Sequence, residues 1–174
     1  MAGSLVLIQK ETLASATASV VLTGIDSTYD VYMVRVSNMQ PVTDNKNMVL
    51  HITKSGSADT TSNYDTAYEV LRANTSFSTS SGTGASSATF AWSQGNNTGE
   101  KANGIFYLFN FPNASEYSFV TVESNWLDVT PNFLGAMGGL VHTVASASDG
   151  VSFTMESGVN IEAGAEFALY GLKK

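Results

Sequence analysis

The chain contains no cysteine and few charged residues among its 174 positions. The absence of cysteine excludes disulfide bonds, thiolate metal sites, iron–sulfur clusters and cysteine nucleophiles. Charged residues make up 13% of the chain, which is about half the share of a typical soluble domain. The 22 serines and 18 threonines therefore have to supply much of the polar surface.

Basic residues are scarcer than acidic ones. The chain has 8 Lys+Arg against 15 Asp+Glu, a formal net charge of -7. Such a surface repels phosphate backbones, so we predict no nucleic-acid partner. No apolar run reaches the roughly 18–20 residues of a membrane span, and residues 1–10 do not read as a secretory signal. The length fits one domain.

The dominant hydrophobic period is two. Residues Val31, Met33 and Arg35 alternate with Tyr32, Val34 and Val36, the pattern of a β-strand. Similar segments are 5–9, 19–23, 48–53, 89–93, 105–111, 117–122, 133–143, 151–156 and 167–172. We predict an all-β fold, a single-domain antiparallel β-sandwich or jelly roll of about eight to ten strands.

Two parts of the chain do not follow this pattern. Residues 66–72 are predicted to form the one short helix. Residues 55–88 are rich in Ser, Thr and Gly, above all between 76 and 87, a composition typical of flexible connections. We therefore predict a long loop excursion around 55–88.

Two strands, 29–36 and 105–111, are apolar on both faces. The outer face of a sandwich strand normally meets water. Either the loop at 59–88 or a second subunit must cover them, and we favour a subunit. The candidate interface residues, which core packing would also explain, are Tyr29, Val31, Met33, Tyr107 and Phe109.

No motif for catalysis accompanies the two histidines, His51 and His142. A Ser-His-Asp site needs a positioned nucleophile, and the sequence has no Gly-x-Ser-x-Gly turn. The acidic residues are scattered without a paired-carboxylate motif. We predict that the protein is not an enzyme and needs no cofactor.

Two acidic segments, 26–30 and 59–65, offer oxygen ligands that calcium accepts. Neither has the spacing of an EF-hand loop. Turns closed by Asp26 and Asp59 are the simpler explanation.

Trp92 and Trp126 lie near predicted strand ends. Exposed aromatic rings recognise sugars or a partner surface, whereas buried ones anchor a core. Both interpretations stay open here, with core anchoring the more common role.

Two segments carry a family resemblance. They are residues 18–45, which contain Tyr29-Asp-Val-Tyr-Met-Val34 and Pro41-Val-Thr-Asp44, and residues 159–174, which contain Leu169-Tyr-Gly-Leu-Lys173. The chain resembles small virion structural proteins of tailed bacteriophages, particularly marine podovirus-like ones. The resemblance implies a jelly-roll virion protein, often a homotrimer, placed as a capsid decoration or a tail appendage and synthesised in the host bacterial cytoplasm.

Two functional hypotheses follow. The first is a non-enzymatic virion component that assembles with other virion proteins and with its own copies through sheet faces. The second is a carbohydrate- or receptor-binding module of a tail appendage, which contacts a host surface glycan through Trp92, Trp126 or the Ser/Thr-rich segment.

Overall fold

The computed structural model describes residues 4–173, which form an antiparallel β-sandwich of thirteen strands. The strands are β1 Leu5–Thr12, β2 Ser19–Thr23, β3 Val31–Met39, β4 Lys46–Lys54, β5 Ser57–Ala58, β6 Tyr64–Arg72, β7 Ser78–Ala85, β8 Ala88–Gln94, β9 Ala102–Phe109, β10 Ser118–Leu127, β11 Phe133–His142, β12 Gly150–Met155 and β13 Glu166–Leu172. A single 3-10 turn, Glu156–Gly158, follows β12. Within the described residues no helix is long and apolar enough to cross a membrane. The predicted all-β sandwich is confirmed.

The strands form two sheets of unequal size. The large sheet has eight strands in the order β1-β13-β3-β9-β10-β11-β6-β7. The small sheet runs β2-β12-β4, and both β5 and β8 pair with the remaining edge of β4. Consecutive strands β9, β10 and β11 form a meander at the middle of the large sheet. Every ladder is antiparallel, as hairpins and meanders require.

Alternation along each strand determines which side chains enter the core. On β10, Val120, Val122 and Trp126 are buried, whereas Phe119, Thr121 and Glu123 between them are exposed. A strand side chain points to the opposite side of the sheet from its neighbour. The buried set therefore faces the small sheet, and the exposed set defines the outer face of the large sheet.

Aromatic rings fill the centre of the sandwich. The ring of Phe153 lies 5.4 Å from Phe106, 5.4 Å from Phe167 and 5.9 Å from Phe90, measured between centroids. These rings come from strands of both sheets. Edge-to-face and tilted contacts at such distances stabilise a core beyond the area that they bury.

The structure corrects two predictions for residues 55–88. Residues 66–72 are not helical but belong to β6, which pairs with β11 over nine residues. The segment 55–88 is not a loop excursion, because it contains β5, β6 and β7. β6 and β7 extend the large sheet at one edge instead of covering it. Residues 59–88 therefore do not form the predicted loop that covers β3 and β9.

Candidate functional site

The outer face of the large sheet carries most of the exposed apolar surface. The exposed large hydrophobic side chains on its strands are Leu5, Leu7, Ile105, Phe119, Phe133 and Met137. Phe119 is 45% exposed and Met137 is 51% exposed. Contiguous apolar patches of this kind mark interaction sites on soluble proteins.

A first cross-strand row, the middle row, runs over all eight strands of the outer face. In order it contains Leu7, Tyr170, Met33, Tyr107, Thr121, Gly139, Ala67 and Ser81. Its first four side chains are large and apolar or aromatic, and we call them the ridge. Met33 is the buried member of the ridge, at 9% exposure, whereas Leu7 is 53% exposed. Its last four are small, and we call them the trough. The change occurs between β9 and β10, at the middle of the sheet.

A second row, the aromatic row, lies beside the middle row. It contains Val31, Phe109, Phe119, Val141 and Asp65 in directly paired positions. Paired residues in neighbouring strands have Cβ atoms about 4.5–5.5 Å apart, so these side chains form a continuous band. Asp65 ends the band and accepts a hydrogen bond from the Gly84 N–H at 2.8 Å.

A third row, the charged row, lies on the other side of the middle row. It contains Lys10, Ala168, Arg35, Ile105, Glu123, Met137, Glu69 and Thr79. Its two cations belong to the half that carries the ridge, and its two carboxylates belong to the half that carries the trough. Glu166 lies 3.4 Å from the Lys10 ammonium and 3.2 Å from the Arg35 guanidinium.

The trough forms an open groove of about 680 Å³. Gly138 and Gly139 of β11 form its floor, and Phe119 and Val141 line one side. A side chain at Gly138 would overlap the carbonyl oxygen of Ala67. Close approach of the backbones of β6 and β11 therefore requires glycine here, and it also leaves the groove open.

Four of the five predicted interface residues lie together on the outer face. Val31, Met33, Tyr107 and Phe109 occupy neighbouring positions of the middle and aromatic rows. Tyr29 does not. Its ring packs edge-on against Tyr32 at 5.6 Å and lies directly over Gly171, at the end of the core. Tyr29 precedes β3 and packs against the core, so it lies apart from the other four candidates.

Several outer-face residues were missed at the sequence level. Phe119 and Met137 belong to predicted strands, and the alternation that selected Phe109 also places Phe119 outward. Leu7 and Tyr170 join the same face only because β1 and β13 pair with each other and with β3. The sequence of neither segment indicates which strand it pairs with.

The two tryptophans lie together inside the sandwich. Trp126 is 1% exposed, and its indole N–H donates a hydrogen bond to the Trp92 carbonyl at 2.8 Å. Trp92 is partly buried, with its ring 5.6 Å from that of Tyr68. Both line a small cavity of about 220 Å³ beside β6 and β7. Trp126 is thus a core residue, and the prediction that it contacts a glycan is wrong.

The histidines pack around a carboxylate at one end of the sandwich. His142 is fully buried, with Nε2 3.3 Å from Asp59 Oδ2, and the Lys54 ammonium lies 2.8 Å from the same oxygen. Burial lowers the pKa of His142, and the Lys54 charge adds to this while Asp59 opposes it. Burial also lowers the pKa of His51.

Asp59 and Tyr64 complete this group. Burial acts to raise the pKa of Asp59, but hydrogen bonds from Lys54 and Thr61 outweigh it and hold the pKa below its ordinary value. The Tyr64 hydroxyl donates to the Asp59 carbonyl at 2.6 Å and accepts from the Ile52 N–H at 3.0 Å. Burial raises the pKa of Tyr64. These bonds fasten the turn after β5 to β4 and β6.

The acidic segments form the expected turns. The Thr28 N–H donates to Asp26 Oδ1 at 2.8 Å, and the Thr61 N–H donates to Asp59 Oδ1 at 3.0 Å. Both bonds close a turn two residues on, the arrangement of an Asx turn. Among residues 4–173 no group of three or more His, Asp or Glu side chains is placed to hold a metal ion.

Comparisons with protein families, with curated proteins and with solved structures give no match to this chain. Among the described residues, six of the nine exposed large hydrophobic side chains lie on strands of the large sheet.

Proposed function

We propose that the protein is a non-enzymatic structural component of a tailed-bacteriophage particle that assembles through the outer face of its large sheet. The observation that carries this proposal is the continuous apolar band formed by the ridge and the aromatic row. β3 and β9 bury one side in the sandwich and present apolar side chains on the other. This apolar band lies beside the charged row and is exposed in a single copy, and self-association would cover it.

The size of the outer face supports this proposal. Eight strands about 4.8 Å apart, taken about six residues deep at about 3.3 Å per residue, cover roughly 700 Å². Two such faces together bury about 1,400 Å², which falls within the range of about 1,200–2,000 Å² for stable protein–protein interfaces. One outer face packed on a second is therefore large enough for a specific contact.

The virion location rests on the sequence resemblance at residues 18–45 and 159–174. β3 and β13, which contain the resembling motifs, are neighbours in the large sheet. The shared motifs thus belong to strands of the proposed assembly face. The proposal covers placement on either the capsid or the tail, with homo-oligomeric contacts and contacts to other virion proteins.

Purified particles of the phage that encodes the chain test this proposal. Mass spectrometry is expected to detect the protein in the particles at many copies, and cryo-electron microscopy is expected to place it on the capsid or tail surface. Particles from which the protein is absent, while the infected cell contains it, would contradict the structural role.

One observation favours binding of a host glycan as a second candidate function. The groove of the trough is lined by Phe119 of β10, by Thr121, Ser81 and Thr83, and by Asp65. An aromatic face with hydroxyl and carboxylate neighbours is chemistry that binds sugars. A glycan array tests this function. Binding that disappears in Phe119→Ala, in a protein that stays monomeric, would favour it over assembly.

A further inference from the structure

The middle row is asymmetric in side-chain size. From β1 to β9 it presents Leu7, Tyr170, Met33 and Tyr107, and from β10 to β7 it presents Thr121, Gly139, Ala67 and Ser81. The ridge and the trough each span four strands. Each ridge residue therefore has a trough counterpart at the same distance from the boundary between β9 and β10.

The charged row is asymmetric in charge about the same boundary. Lys10 and Arg35 lie on the ridge half, and Glu69 and Glu123 lie on the trough half. Both carboxylates are exposed. Glu166 of β13 pairs with both cations, so the ridge half is the less acidic half. Side-chain size and charge thus both differ between the two halves of the sheet.

We propose that two copies of the chain pack outer face to outer face about a twofold axis that lies between β9 and β10, parallel to the strands. This inference rests on the proposed assembly function and specifies how the two copies contact each other. Such an axis exchanges the two halves of the sheet but keeps each row at its own level. It places Tyr107 over Thr121 and Tyr170 over Ala67 of the second copy, with the largely buried Met33 opposite Gly139, so the tyrosine side chains of each ridge enter a trough.

The same operation brings unlike charges together. Arg35 of one copy faces Met137 of the other, which Glu123 and Glu69 flank in the same row. In the aromatic row, Phe109 faces Phe119, and Val31 faces Val141. Charge complementarity of this kind favours the register in which the apolar surfaces also fit.

Other arrangements of two identical faces lack this fit. A twofold axis across the strands, along the middle row, would place ridge on ridge and the charged row over the aromatic row, because it keeps the halves and reverses the order of the rows. A threefold ring cannot bring two whole outer faces into flat contact, since each contact would join different surfaces. A second copy about the strand-parallel axis is the occupant that matches both size and charge.

Chemical cross-linking tests the register in a chain that has no native cysteine. Val31→Cys and Val141→Cys are prepared as separate single variants and mixed in equal amounts. Facing sheets lie about 10 Å apart, too far for most disulfides, so a short bismaleimide is used. We expect a covalent dimer in the mixture and several-fold less in either variant alone. Two copies of residue 31 would lie three strand spacings, about 14 Å, apart across the sheet, in addition to the gap of about 10 Å between the sheets.

Filling the trough tests the contact independently. Ala67 is exposed on β6, so Ala67→Tyr leaves the core intact but occupies the space of the partner's Tyr170. Overpacking of this kind predicts a dimer dissociation constant raised about tenfold or more. The matched control is Ala58→Tyr, an exposed alanine on the small sheet. Light scattering gives the masses, and thermal melts verify that both variants fold.

The outcomes separate this inference from the proposed function. One outcome is an oligomer that Tyr107→Ser dissociates but that gives no cross-link between positions 31 and 141. That result would support assembly through the outer face and would overturn the twofold register. A trimer in solution would also overturn the twofold register. A dimer unaffected by Ala67→Tyr would also overturn the register. A wild-type protein that stays monomeric at high micromolar concentration would contradict both.

Discussion

Phe109 on β9 and Phe119 on β10 are directly paired across the two central strands of the large sheet, and both point away from the core. Neither ring is among the buried core residues. The pair lies at the boundary where the large ridge side chains give way to the small trough side chains. Two aromatic rings in this position add little to the sandwich itself, and they lie at the centre of the proposed contact.

Replacement of Phe119 by serine tests the contribution of this pair to assembly. We expect the dissociation constant of the oligomer to rise about tenfold or more, because central aromatic residues dominate interface energetics. Thermal stability should change little, since the side chain is already 45% exposed. The control is Val42→Ser, an exposed apolar residue between β3 and β4. Equal effects of both variants on sedimentation would contradict a specific role for Phe119.

Phe153 tests the core rather than the outer face. Its ring contacts those of Phe90, Phe106 and Phe167 from both sheets. Phe153→Ala is expected to lower the free energy of unfolding by about 3–5 kcal/mol, through lost burial and a residual cavity. Urea denaturation measures this. A loss below about 1 kcal/mol would mean that the two sheets do not share this core.

Alternation predicted ten of the thirteen strands of the sandwich but missed β5, β6 and β7. In residues 66–72 the apolar residues Ala67, Val70 and Leu71 also fit a helical spacing, so the local pattern was ambiguous. These residues form a strand because β6 pairs with β11 over nine residues. β7 consists of Ser, Thr, Gly and Ala, because it is an edge strand with little surface to bury. Such a strand carries no hydrophobic signal.

The outer face was predictable only in part. Met33 and Tyr107 were selected because their strands are apolar on both sides, and the structure places them side by side. The rows could not be predicted, since they depend on the order of strands that are distant in sequence. Leu7 and Ala67 share one row only through this order.

Gly138 has a steric role that alanine should reveal. An added Cβ would overlap the Ala67 carbonyl oxygen, so Gly138→Ala is expected to cost about 1–3 kcal/mol of stability. Gly82 on β7 is the matched control, because an added Cβ there meets only Thr66 Oγ1 at 3.7 Å. Gly82→Ala should therefore be close to neutral. Chemical denaturation of both variants is the measurement, and equal losses would contradict the close approach of β6 and β11.

The stability of the fold should fall below about pH 6.5 because of the histidines. Burial lowers the pKa of His142 from its ordinary 6.5, and Lys54 reinforces this shift while Asp59 opposes it. The unfolded chain then binds protons that the folded chain does not, so stability is lost as pH falls from 6.5 towards the folded pKa. Loss linked to the lowered pKa of Asp59 begins only below its ordinary 3.8.

His142→Gln isolates this effect. Urea denaturation between pH 7.5 and 5 should show a shallower pH dependence in the variant, because a titrating group has been removed. His51, whose pKa burial also lowers, should retain part of the slope. An unchanged slope in His142→Gln would show that His142 does not titrate in this range.

Oxidative footprinting of the wild-type protein tests the assembly face most directly. Hydroxyl radicals modify exposed side chains, and Phe119 and Met137 are both exposed on the outer face of a single copy. As protein concentration rises through the micromolar range, we expect oxidation of Phe119 and Met137 to fall several-fold while that of Val42 stays constant. Oxidation of Phe119 and Met137 at one unchanged rate, in samples where sedimentation shows an oligomer, would contradict assembly through this face.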